Sequence, residues 1–203
     1  MSPDPIIFLT LLLILAASSV VFFISVHRET AHRAQMRLAE WAEQNRFSRL
    51  NEEFGPPRPL DRVIPPMRLT IGLYNRNTRL VHCRSPAPDP GDPPLQWNLA
   101  IRHVPTASQP VGLRSADATR SIVDLFKLEP SPRQSASARF VIVGEDLVAS
   151  HRMAEGSSRA LLPADLSLLR VDDYLVIDFS GRPFDPIELG RMLGLLDQLA
   201  TIA

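Results

Sequence analysis

Residues 6–26 read IIFLTLLLILAASSVVFFISV, an apolar run without a charged side chain. As an α-helix the run rises about 31 Å, close to a bilayer hydrocarbon core of about 30 Å. Fifteen of its residues are Leu, Ile, Val or Phe. At roughly −0.3 to −0.6 kcal/mol each they favour insertion by on the order of 7 kcal/mol. Thr10, Ser18, Ser19 and Ser25 oppose this little, because a hydroxyl can bond back to a helix carbonyl. The reading that follows is a membrane helix with everything else hung from it.

The leader before the run is Met1-Ser2-Pro3-Asp4-Pro5, with no Lys or Arg. A cleaved signal peptide needs a basic start, a shorter apolar core and a small-x-small site. Here the core continues through Val20-Val21-Phe22-Phe23 past the small residues, so an uncleaved anchor is expected. No cysteine lies near the end of the run, which excludes a lipoprotein. On the carboxyl side stand Arg28, Arg33, Arg37, Arg46 and Arg49. The positive-inside bias then places the N-terminus outside and the large C-terminal part in the cytoplasm, at a bacterial inner membrane. Ala16-Ala17-Ser18-Ser19 form a small-residue patch that could bring two such helices together as a homodimer. Lipid-facing filler is the plainer reading of the same patch.

The rest of the chain is long enough for one domain with a real core. A single cysteine, Cys83, allows no intrachain disulfide, which suits a reducing compartment. Lys127 is the one lysine among many arginines, and net charge is zero, so bulk nucleic-acid binding is not expected. The charge is uneven, however. Residues 28–139 hold 17 basic and 11 acidic side chains, residues 140–203 hold 5 and 10. The basic part could lie against anionic headgroups, or the two parts could complement each other within one fold.

Helical patterning continues from His27 to about Gln44, with Met36, Leu38, Ala39, Trp41 and Ala42 as a modest apolar stripe. Neither Gly nor Pro separates this segment, 27–46, from the span, so one long helix is expected to end near Asn45, a residue that tolerates a left-handed cap. Trp41, about 22 Å beyond the span, and Phe47 then read as residues that dock on the domain. Residues 47–203 are taken as that domain, with proline-rich loops at 55–66 (GPPRPLDRVIPP) and 85–94 (SPAPDPGDPP).

Within it, Met67–Tyr74 and Thr78–Arg84 predict a hairpin around Asn75-Arg76-Asn77. Leu95–Val104 predicts a strand, Val111–Arg114 another, and Ile122, Val123, Leu125 and Phe126 a short helix. Arg139–Val143 predicts a strand that Gly144-Glu145-Asp146 turns into a helix over Leu147–Arg152. Pro163–Leu168 predicts a helical turn. Val171–Phe179 (VDDYLVIDF) is apolar on both faces at its centre, which predicts a central strand. Asp185-Pro186-Ile187-Glu188 has the pattern of a capping box, and Leu189, Met192, Leu193, Leu196, Leu199 and Ala200 recur at helical spacing. The fold class is therefore α+β: a transmembrane helix, its juxtamembrane continuation, then a mainly antiparallel sheet with a packed C-terminal helix.

Three stretches, LAEWAEQNRF, RFVIVGED and DDYLVIDFSGRPFDPIELGRML, together resemble uncharacterised bacterial single-pass membrane-anchored proteins. The resemblance implies an anchor and a soluble α+β domain. It implies no activity, so no catalytic residue is carried over from it.

No pattern in the residues assigns a catalytic, cofactor-binding or metal site. His82 and Cys83 are strand neighbours, point to opposite faces and cannot readily share a metal. Cys83 reads as a small apolar filler. Asp172, Asp173, Asp178 and Asp185 could do acid–base work or hold a divalent cation, but Asp172 and Asp178 lie about 20 Å apart along a strand. The acidic Glu145-Asp146 pair suits a helix start and repels phosphate. Gly156-Ser157-Ser158 lacks the lysine of a phosphate loop. The expected function is a non-catalytic interaction or scaffold domain with two partners, the bilayer through 6–26 and a protein. An enzyme with a carboxylate site near Asp172–Asp185 is one alternative, and a lipid-surface module using the arginines of 28–84 is another.

Overall fold

The computed structural model describes residues 5–50, 60, 68–86, 91, 93–130, 139–144 and 161–202. They divide into two compact units, Met1–Trp41 and Ala42–Ala203. The first is the bulk of one α-helix, α1, Pro5–Gln44. Over Phe8–Gln44 its mean hydropathy reaches 2.6 in a window none of which is buried, so the helix is long and apolar enough to cross a membrane. Ser19 and Thr30 donate to the carbonyls of Leu15 and Val26, which keeps their hydroxyls satisfied inside the helix.

The helix ends in a Schellman pair: Arg46 N donates to the Glu43 carbonyl at 3.0 Å and Phe47 N to the Ala42 carbonyl at 2.7 Å. The left-handed residue is Arg46, at φ +59°, and not the expected Asn45. Asn45 instead accepts a hydrogen bond on its carbonyl from Asn75 Nδ2. Phe47 is buried within the second unit.

The second unit is an antiparallel sheet with a helix on one face. In chain order the strands are β1 (Ser48–Arg49), β2 (Arg68–Asn75), β3 (Thr78–Ser85), β4 (Leu95–Ser115), β5 (Phe140–Gly144) and β6 (Ser167–Asp178). A 3-10 helix, Ile122–Phe126, stands between β4 and β5, and α2, Pro186–Ile202, closes the chain. The expected hairpin is β2–β3, joined by Arg76-Asn77. Its left-handed demand falls on Arg76, at φ +41°.

The two strands expected at Leu95–Val104 and Val111–Arg114 are one strand of 21 residues. Its prolines, Pro105 and Pro110, explain both the expected break and its absence. Proline cannot donate to a ladder, but it is tolerated at bulges. Against β6 the register passes from His103↔Tyr174 to Ser108↔Asp172 to Val111↔Arg170, so β4 carries extra residues between the pairs. The prolines lie in those bulged intervals.

β4 is the central strand. Its first half pairs with β3 and its second half with β5, while β6 pairs with it along both halves. Val171–Phe179, expected to be central, pairs with the central strand β4 as part of β6, its one partner among the described residues. Its two apolar faces are covered by layers above and below the sheet. On one face Val176, Leu169 and Val171 join Val81, Trp97, Leu99 and Ile101 of β3 and β4, covered by Ile122 and Val123 of the 3-10 helix. Leu60, inside the expected proline-rich linker, is fully buried in this cluster. On the other face, Leu80, Ala100, Leu175 and Ile177 are buried where α2 packs.

α2 buries Leu189, Met192, Leu195, Leu196 and Leu199, each contributing about 1.5–3 kcal/mol. Leu193 and Ala200, expected in that stripe, are half-buried. Asp185 caps the helix by accepting from Ile187 N and Glu188 N, both at 3.0 Å. Glu188 does not complete the capping box; its carboxylate accepts from Arg182 and Arg191. Pro163 begins a turn in which its carbonyl accepts from Leu166 N, but the strand has begun by Ser167. The helix expected at Leu147–Arg152 lies outside the described residues.

Gly72 of β2 marks a close approach: a Cβ there would lie 2.8 Å from Leu50 Cβ and 2.9 Å from Leu69 Cδ2. Gly72→Ala is therefore expected to lower unfolding stability by about 1–3 kcal/mol, read from urea unfolding of the full chain in detergent.

Candidate functional site

Four segments meet around a cleft of about 420 Å³ in the second unit. The start of β4 supplies Leu95, Gln96 and Trp97, the approach to the 3-10 helix supplies Asp117, Thr119 and Arg120, and the turn before β6 supplies Asp165. The end of β6 supplies Asp178, followed by Ser180 and Gly181. Ser115 fixes the turn before β6: its N donates to Ser167 Oγ and its hydroxyl to the Ala164 carbonyl.

Asp178 is the buried carboxylate of this cleft, 4% exposed. Its Oδ2 accepts from Ile122 N at 2.7 Å, and its Oδ1 accepts from Ser180 N at 3.0 Å and from the Ser180 hydroxyl at 2.5 Å. Ser121 adds a further side-chain hydrogen bond. Burial raises the Asp178 pKa, and these donors, which favour the charged form, offset part of that rise. The arrangement ties three pieces of chain together. Ser121 caps the 3-10 helix through Val123 N while Asp124 returns a bond to Ser121 N. Ser180 Oγ accepts from Asn98 N, Asn98 Nδ2 donates to the Arg182 carbonyl at 2.7 Å, and Asn98 Oδ1 faces His82 Nδ1 at 2.6 Å.

At the rim Arg182 makes a two-pronged contact with Asp165, Nε to Oδ2 at 2.6 Å and Nη2 to Oδ1 at 2.7 Å. That contact holds the Asp165 pKa below the usual carboxylate range. Cys83 lies in the core with its thiol pushed up to about 12, by burial first and then by the charge of Asp178. A thiol so placed is protonated at neutral pH and is no nucleophile.

Of the carboxylates singled out from the sequence, Asp178 lines the cleft. Asp172, at φ +49° in a bulge of the β4–β6 ladder, Asp173, and the capping Asp185 do not. The partners of Asp178 in the cleft are Asp165 and Asp117, which sequence spacing did not connect because they lie on separate turns. His82 and Cys83 do take opposite faces, one beside Asn98 and Phe184 and the other in the core cluster. Among the described residues no three His, Cys, Asp or Glu side chains converge as a metal set.

No family model and no curated protein matches the chain. Among solved structures, it is similar to the crystal structure of the mycobacterial trehalose monomycolate transport factor A, TtfA. The likeness has a TM-score of 0.54 at 12% identity and covers 82% of this chain and 92% of that one. At that identity the two share a fold.

Asp178→Asn turns one carboxylate oxygen into an amide donor facing a backbone N–H. The variant is expected to lose about 1–3 kcal/mol of stability at neutral pH in denaturant unfolding. The two carboxylates also act on pH dependence with opposite sign. A raised Asp178 pKa gives stability that is present below an unfolded pKa of about 4 and lost as pH rises through the folded value. The lowered Asp165 pKa gives stability that is present above about 4 and lost as pH falls through the folded value. Asp165→Asn should therefore differ from the parent in melting temperature at pH 7 and converge with it in strong acid.

Proposed function

We propose that this chain is a non-catalytic protein anchored in a bacterial inner membrane, whose folded unit binds a protein partner in the cytoplasm and serves a membrane transport assembly. The observation that carries the reading is the helix Phe8–Gln44, whose apolar window is wholly exposed. Apolar surface of that length has no stable place in water, and lipid is the environment that removes it. Five arginines, Arg28, Arg33, Arg37, Arg46 and Arg49, closely follow the apolar run, which supports a cytoplasmic domain.

Two further observations favour a binding role over catalysis. The buried carboxylate of the cleft is engaged by backbone and hydroxyl donors that hold chain segments together, so it is committed to structure. The similar solved structure is titled a transport factor. A partner would read the rigid sheet unit, and the long helix would keep that unit at the membrane.

The test has a location arm and a function arm. The full chain should stay with membranes in alkaline carbonate, and a reporter that is active only in the cytoplasm should work at the C-terminus and fail at the N-terminus. Purified in mild detergent, the tagged chain should retain one membrane-protein partner that also retrieves it reciprocally. Release by carbonate, or a turnover abolished by Asp178→Asn with folding intact, overturns the reading.

A further inference from the structure

We propose that the niche between the β2–β3 turn and the β4–β6 ladder binds a phosphate-class anion. It is a depression of about 160 Å³ lined by Arg76, Asn77, Arg79, Ile101, His103 and Tyr174. Strand pairing places its walls. Arg79 stands opposite Ile101, and His103 opposite Tyr174, with the two rings edge to face at 5.4 Å. The turn is held beside them by His103 N, which donates to the Asn77 carbonyl at 2.8 Å. Arg76 is fixed in the left-handed region of the backbone.

Two arginines thus line one small cavity, and neither guanidinium makes an ion pair or hydrogen bond with another described residue. Three other arginines of this unit do form ion pairs: Arg102 with Asp197, Arg114 with Asp124, and Arg182 with Asp165 and Glu188. The contrast extends over the hairpin. The strands β1 to β3 and their turn carry Arg49, Arg68, Arg76, Arg79 and Arg84 without one Asp or Glu. Arg68 stands directly opposite Arg84, a like-charge pair that works against the sheet. Among the described residues this positive field has no acidic partner on the hairpin, and such a field attracts anions and focuses them on the concave end.

The chemistry of the lining selects the class. Guanidinium groups match phosphate oxygens with paired N–H donors, and the Asn77 amide and Tyr174 hydroxyl offer further donors from neutral groups. A free phosphate and a phosphate diester of a lipid headgroup present the same oxygens. This inference does not depend on the membrane reading above.

Isothermal titration of the full chain in uncharged detergent tests it, with inorganic phosphate as one probe and glycerophosphoglycerol as the other. Saturable one-to-one binding that weakens with added salt is expected for at least one probe. Saturation by phosphate alone assigns a free ion, and saturation by the diester assigns a headgroup; either supports the site. The double variant Arg76→Gln, Arg79→Gln should weaken binding about tenfold or more, the loss expected for a charge-assisted hydrogen bond. Arg84→Gln, outside the niche, should change it less than about twofold, the difference between local contact and general field. Unchanged melting temperatures without ligand check that the variants fold. No saturation by either probe, or an equal loss in Arg84→Gln, overturns the proposal.

Discussion

The ladder that β4 makes on both its edges is the constraint on which the second unit depends. One edge is covered by β3 and then β5, the other by β6. Antiparallel pairing satisfies the backbone of this strand while both its faces go dry, which an isolated hairpin could not achieve. β3 brings in β2 and β1 and, through Asn75, the capped end of α1. β6 carries Asp178 to the place where the 3-10 helix begins. Bulges at Pro105 and Pro110 let one strand serve three partners, because extra residues re-aim the side chains without ending the ladder.

Asp178 shows how burial and hydrogen bonding divide a carboxylate between structure and chemistry. Desolvation favours its neutral form, while the donors of Ile122 and Ser180 favour the charged one. A group so engaged has little capacity left to accept a substrate proton, but it is an effective pin between elements far apart in sequence. The same burial silences Cys83.

The charge asymmetry of the chain divides in two ways in the folded unit. Arg102 of the basic part meets Asp197 of the acidic part on α2, so some complementation occurs within the fold. Such exposed pairs contribute at most about 1 kcal/mol. Among the described residues the hairpin arginines Arg76 and Arg79 make no such pair, and the niche they share comes from strand pairing: Arg79 and His103 are 24 positions apart yet line it.

By itself the sequence determined the features that depend on local periodicity and local chemistry. An unbroken apolar run must be a helix that avoids water, and the stripe from Leu189 to Leu199 must bury one face, so α1 and α2 were legible. The hairpin around Arg76-Asn77 and the Asp185 cap were legible for the same reason. What tertiary structure alone decided are the features set by pairing across long separations. Apolar patterning reports burial but not which neighbour supplies it, so it does not say that β6 pairs with β4 or that the 3-10 helix and α2 cover its faces. Prolines signal an interruption but not whether a ladder absorbs it as a bulge, so β4 reads as two strands. Leu60 enters the core from a proline-rich stretch, and Asp165 joins Asp178 in a cleft, because folding brings together positions that no spacing rule relates.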